Sequence, residues 1–266
     1  MKQNRKVTPY RINFKKGEAA VTLTGELEDY STKNLHSHNC HQFLIIKNGV
    51  SLLIDERRKQ PLYGTMCAFL PAGVPHRTVI AGGSITYQSL YLKTGELSDS
   101  PDEIIIYSIS ELAFALFNRM TSAKSAVFSG DIMKDILTLF IKISKREMLN
   151  REISLTLPEP VSPECRKLTE FIETHYMERL SLENLRSALP YSTRHISRIF
   201  SKEMNMTPME YLRVYRMIMA SVMLHDRGKT VLEVSLDSGY ETLSLFYSDF
   251  KKFFSLAPGD FRKRVI

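Results

Sequence analysis

Tryptophan is missing from this 266-residue chain, cysteine occurs only three times, and no apolar run reaches the roughly 18 residues a membrane-spanning helix needs. Each absence removes a class of protein. Cys40, Cys67 and Cys165 are odd in number and widely spaced, which excludes a disulfide framework and a CxxC metal pair and suits reduced thiols. The opening residues, MKQNRKV, lack the apolar segment of a signal peptide, so a cytoplasmic location without membrane partners is expected. Negative charge is also scarce: 29 Asp and Glu face 36 Lys and Arg, for a net charge of +7. That balance favours polyanionic partners without naming one. From Glu159 onward the surplus shrinks to two, with 16 Lys and Arg against 14 Asp and Glu. If this part binds nucleic acid, it does so by placing charge, not by accumulating it.

What is present divides the chain in two, giving an α+β protein. Up to about residue 95, short apolar runs (FLIIKNG, VSLLID, MCAFLP, ITYQSLYL) alternate with Gly, Pro and polar clusters, the pattern of an antiparallel β domain. Asn48-Gly49 reads as a hairpin turn. From about residue 102 to 150 the spacing becomes helical, with ELAFALFNRM and DIMKDILTLFIKISKREML. In the second of these Ile132, Ile136, Leu139, Phe140 and Ile143 form one stripe, wide enough to pack on the β domain or on a second subunit. The first domain thus covers residues 1–156. Three prolines in 157–163 mark a linker, and 164–266 read as all-helical.

The helical part contains two helix-turn-helix units in series. Ser181 can cap LENLRSAL, Ser192 can cap TRHISRIFSKEM, and Asn205 suits a left-handed end. Thr207, Pro208 and Glu210 supply cap, first-turn proline and capping-box acid for a long joining helix, expected to reach about Asp226 and to end at Gly228. A helix of that span is roughly 27 Å long, near the 34 Å of one DNA turn. Two such units therefore suggest one chain that enters successive segments of the major groove. In the first, Ile196, Ile199 and Phe200 share one face; Arg194, Ser197, Arg198, Ser201 and Lys202 share the other. Arginine can grip guanine O6 and N7, and serine a base edge or a phosphate. In the second unit Gly239 lies in the turn, with Phe246 and Phe250 inward and Leu243, Ser244, Tyr247 and Ser248 outward. Lys251 and Lys252 would anchor this helix, and Leu243 could touch a thymine methyl. Arg262, Lys263 and Arg264 could add phosphate contacts.

These segments resemble the DNA-binding module of the AraC/XylS family of bacterial transcription regulators over about a hundred residues, with Gly239-Tyr240, Phe246, Phe250-Lys251-Lys252, Pro258 and Phe261-Arg262 in phase. The resemblance implies base-reading places at Arg194, Ser197 and Arg198 and at Leu243, Ser244 and Ser248. It also implies regulation of transcription, more as activator than repressor, with promoter DNA, a homodimer and RNA polymerase as partners. Four positions depart from the pattern: Arg186 and Ser235 replace a small alanine, Pro190 and Ser255 a glycine. An arginine is costly to bury, so position 186 is expected at the surface.

HSHNCHQFLIIKNG and GTMCAFLPAGVPHRTV resemble the two motifs of a cupin barrel, the sensor domain common in this family. The resemblance puts His36, His38, Gln42 and His76 at its ligand or metal positions. Gln42 stands where a carboxylate is expected, and an amide is a poorer ligand, so histidines lining a barrel that takes a small-molecule effector are favoured over a bound divalent metal. Cys40, His41 and Cys67 keep a soft-metal or redox sensor open. The contrasting class is a metal-dependent cupin enzyme. No clear carboxylate base accompanies the histidines, and a DNA module would be idle on such an enzyme, so no catalytic residues are assigned.

Overall fold

The computed structural model describes residues 8–28, 34–64, 66–80, 84–122, 131–150, 155–224 and 228–265. The chain forms two compact units: residues up to Ser154 without 57–59, and Arg57–Lys59 together with Leu155–Arg264. Among the described residues no helix is long and apolar enough to cross a membrane.

The first unit holds strands β1 (Thr8–Tyr10), β2 (Ala20–Glu28), β3 (His36–His38), β4 (His41–Asn48), β5 (Val50–Asp55), β6 (Arg58–Tyr63, whose first two residues belong to the second unit), β7 (Met66–Leu70), β8 (His76–Ile80), β9 (Ser84–Leu92) and β10 (Ile105–Ser108). One sheet has the order β1-β3-β8-β5-β6, the other β10-β7-β4-β9-β2. They are two open sheets and do not close into the barrel read from sequence. Asn48-Gly49 accordingly closes no hairpin. It carries the chain from β4 in one sheet to β5 in the other, with Gly49 at φ +81°, where a Cβ would lie 2.5 Å from the Ser84 carbonyl. The helical segment also starts later than expected, because Ile105–Ser108, with two β-branched isoleucines and a tyrosine, pairs antiparallel with β7.

Helices α1 (Glu111–Thr121) and α2 (Asp131–Leu149) cover the second sheet. Strand β4 shows why its apolar run is unbroken: both of its faces are buried. Phe43 and Ile45 join Phe69, Leu90, Phe117 and Phe140 on the helix side, and Leu44 and Ile46 join Leu53, Leu62 and Ile106 between the sheets. Phe140 is fully buried here and leaves the group of interface candidates. Ile136 and Ile143 pack along the edge of the same core, whereas Ile132 (77% exposed) and Leu139 (44%) face outward.

The second unit contains a two-residue strand β11 (Leu157–Pro158), then α3 (Pro163–Thr174), α4 (Thr193–Met204), α5 (Pro208–Met223), α6 (Val231–Asp237), α7 (Leu243–Phe254) and α8 (Pro258–Val265). Prolines of the expected linker are thus already part of this unit, and Ser162 caps α3 by accepting from the Cys165 amide. LENLRSAL is no α-helix: only Asn184–Ser187 form a 3-10 turn. Ser181 does not cap it. Its amide and hydroxyl instead donate to Asn184 Oδ1, which holds the segment in a tight local turn. The joining helix α5 is capped by Thr207 and Glu210 as expected but stops at Leu224, so its 16 residues span about 24 Å. Asp226 lies outside the described residues, and Gly228 stands beyond the helix end. Helices α4 and α7 both pack on α5.

Candidate functional site

Helix α4 begins where Ser192 Oγ accepts from the His195 amide and ends at Asn205, whose φ of +53° turns the chain away. Ile196, Phe200 and Met204 are buried, because a four-residue spacing puts them on one side. On the other side Arg194, Arg198 and Lys202 are exposed, with Ser197 and Ser201 half-buried beside them. Ile199, expected inward, is half-buried. His195, which sequence reasoning passed over, lies 3.5 Å from the Arg198 guanidinium and packs edge-on against Tyr191.

Helix α7 starts at the Thr242 cap. Phe246 and Phe250 are fully buried; Leu243, Ser244, Tyr247, Ser248, Lys251 and Lys252 are exposed. Between the two phenylalanines the helix buries a carboxylate that sequence reasoning missed. Asp249 Oδ2 accepts from Arg213 Nε of α5 at 2.8 Å and from the Tyr240 hydroxyl at 2.9 Å. Burial, then the Asp249 charge, raise the Tyr240 hydroxyl well above its ordinary range, so it stays a donor. One turn along α5, Arg216 donates to the carbonyls of Tyr176 and Glu178, each at 2.8 Å. The Arg213–Asp249 bond fixes the roll of α7 against α5, and with it the direction of the exposed face, while Arg216 ties α5 to the segment after α3. A lone acid three residues after Phe246, on the apolar side, was the signal for such a pair.

No carboxylate among the described residues pairs with Arg194, Arg198, Lys202, Lys251 or Lys252. Most of the described acids of this unit are engaged elsewhere. Glu203 accepts from the Val161 and Ser162 amides, Glu210 and Glu233 complete capping boxes, and Glu183, Asp237 and Glu241 pair with Arg186, Lys229 and Arg179. Arg186 is therefore at the surface, and its pair with Glu183 is of the kind that contributes little. The basic tail divides. Arg262 Nε donates to Leu224 O at 3.0 Å and so ties α8 to the end of α5 instead of facing outward, Lys263 lies 3.5 Å from Asp260, and the Arg264 side chain is outside the described residues.

In the first unit His36 and His38 share a face of β3, two residues apart, and His76 on β8 lies directly opposite His36. Their rings come together with centroids 4.4 to 5.1 Å apart, and one ligand nitrogen of each lies within 4.8 Å of the others. Burial lowers the His36 pKa; burial and the His36 charge bring His38 down to about 4 and His76 to about 3. In each, burial favours the neutral imidazole. His76 Nδ1 lies 2.9 Å from Val74 O, whereas the buried Nδ1 atoms of His36 and His38 have no hydrogen-bond partner. Gln42 donates its amide to Ser89 Oγ at 2.9 Å, and its Oε1 is buried without a hydrogen-bond partner. Cys40 and Cys67 do not join the three histidines, and burial raises their thiols to about 11 and about 12, which keeps both protonated.

Comparison with known proteins matches residues 185–264 to a helix-turn-helix domain family. YdeC, a helix-turn-helix-type transcriptional regulator of Bacillus subtilis, is 24% identical over 252 residues, 86% of this chain and 86% of its own length. The lactose operon transcription activator of Staphylococcus xylosus is 26% identical over 102 residues, 38% of this chain and 37% of its own. The regulatory protein SoxS of Salmonella typhimurium is 28% identical over 98 residues, 37% of this chain and 92% of its own. The chain thus spans most of the first and little more than a third of the second.

Proposed function

We propose that this chain, which belongs to the AraC family of DNA-binding transcription regulators, gives its two recognition helices unequal tasks. Helix α4 discriminates sequence: Arg194 and Arg198 reach guanine edges in the major groove, with Ser197 and Lys202 contacting bases or phosphates beside them. Helix α7 docks: Ser244, Ser248, Lys251 and Lys252 hold the backbone, and Leu243 touches a thymine methyl. The observation that carries this reading is the set of exposed cations left free by carboxylates, arginines on α4 and lysines on α7. The chain acts as an activator at promoters, as the lactose operon relative is named, in contact with RNA polymerase. A small-molecule signal received by the cupin-like first unit controls it, and the outward residues of α2, Ile132 and Leu139, join two copies.

Affinity for a duplex selected from a random pool, set beside affinity for unrelated duplex, tests the division. Arg194→Ala and Arg198→Ala each lose about 1–3 kcal/mol on the selected site and relax preference there. Lys252→Ala weakens both duplexes alike and lowers the salt slope by about 1. Equal losses on both duplexes for the two arginine variants would end the assignment.

A further inference from the structure

We propose that the second unit holds a binding site of its own for a small amphipathic carboxylate, in a cavity bounded by Arg216 of α5, the segment after α3 and the turn joining α6 to α7. The cavity has a volume of about 330 Å³, within the size range of small-molecule sites. Its apolar walls are Met177 and Leu180 from the segment after α3, and Leu236 and Leu245 from α6 and α7. Met177, Leu236 and Leu245 are each more than half exposed. Large apolar side chains from three separate segments thus line one gap and leave surface in it that the fold does not cover. None of the lining residues is among the proposed DNA contacts.

The polar end of the cavity is a guanidinium without a counter-ion. Arg216 donates from Nε and Nη2 to the Tyr176 and Glu178 carbonyls and lies over the Tyr240 ring, 5.8 Å from its centroid. These contacts hold its plane in place but leave its charge uncompensated. Among the described residues Nη1 has no acceptor, and no carboxylate pairs with the group; Arg213, one turn earlier, has Asp249. Burial holds the Arg216 pKa below its ordinary value, so a counter-anion on Nη1 relieves a cost already present in the fold. Glu241 also lines the cavity, but Arg179 holds it at 3.2 Å, in an exposed pair weak enough to open. An entering anion therefore meets two guanidinium groups against one acid. The walls and the charge together select the ligand class. A planar carboxylate suits the guanidinium edge, and a short aliphatic or aromatic body suits the four apolar side chains. A phosphodiester would leave those walls unused, and a neutral alcohol the charge.

Methyl resonances of Met177, Leu236 and Leu245 in the full-length chain read the site during titration with sodium hexanoate. All three should shift in one saturable step, with hexanol and inorganic phosphate each binding about tenfold or more weakly. Arg216→Gln should weaken hexanoate by about tenfold or more, the loss expected for a hydrogen bond to a charged group. Leu236→Glu, at an exposed position, should do the same by removing apolar wall and adding a like charge. Leu232→Glu, on the same helix and also exposed but outside the cavity, should leave binding unchanged. Near-ultraviolet circular dichroism monitors folding, and Leu236→Glu carries the test where Arg216→Gln unfolds. No saturable shift of these methyls at tens of millimolar hexanoate, equal binding of hexanol or of phosphate, or undiminished binding in both variants would overturn the proposal.

Discussion

Ser235 is 1% exposed, and its Oγ has no hydrogen-bond partner. A buried hydroxyl without a partner has lost its water and gained nothing. Ser255, at the end of α7, holds φ at +56°, where a Cβ is strained and glycine is not. Both residues stand where the family pattern has a smaller one, and both departures have a cost visible in the structure. Ser235→Ala and Ser255→Gly should each raise stability by about 1 kcal/mol, read as a higher urea midpoint with an unchanged slope; a loss in either would contradict the stated cause. Gly239 shows the opposite constraint. At φ +78°, an added Cβ would sit 2.6 Å from the Tyr176 carbonyl, so no side chain can replace it without moving the turn. Of these three, only Gly239 could be read from sequence, because a turn between two apolar helices announces itself. Asp249 announced only that a buried acid needs a partner; which partners, Arg213 and Tyr240, 36 and 9 residues away, only the fold decides.

Helix ends in the second unit are held by side chains that the sequence displays openly. Thr207 with Glu210, and Thr230 with Glu233, each make both bonds of a capping box. Thr207→Ala should cost about 1 kcal/mol. The acids add a pH signature. Hydrogen bonds from Thr207 lower the Glu210 carboxyl below its ordinary value, and those from Thr230 do the same for Glu233. A folded value below the unfolded one means that the unfolded chain binds more protons in that window. The stability contributed is therefore complete above the ordinary carboxyl value of 4.5 and is lost as pH falls through the lowered one. Urea unfolding of the chain and of Glu210→Gln should differ at pH 7 and converge near pH 3, and a gap that persisted at pH 3 would mean the carboxylate charge is not what the cap uses. The same legibility failed at LENLRSAL, whose spacing is helical but whose start is occupied by the Ser181–Asn184 bonds. It failed again at Ile105–Ser108, where proximity to β7 in the fold outweighs the helical pattern that follows in sequence.

For the whole molecule, a net charge of +7 says less than where the acids go. In the second unit most of the described acids are spent on caps and on pairs such as those with Arg213, Arg179, Arg186 and Lys229, and five cations on α4 and α7 stay unpaired even though the total is nearly balanced. A salt slope set by those few placed charges will be modest, since each phosphate contact contributes about 0.9 to it. The outward side of α2 offers a second test at this scale. Ile132 and Leu139 lie on a helix whose inward side is already filled by Leu137, Phe140 and Met148, so the first unit's own core has no further use for them. If α2 joins two copies, Ile132→Glu and Leu139→Glu should each convert a sedimenting dimer to monomer at tens of micromolar while leaving the unfolding midpoint of the monomer unchanged. On a palindromic promoter duplex the same variants should lose affinity through lost linkage between the two DNA modules, with affinity for a single half-site untouched. Wild-type chain that sediments only as monomer, on and off DNA, would remove this use of α2 and leave one chain with two helices as the complete DNA reader.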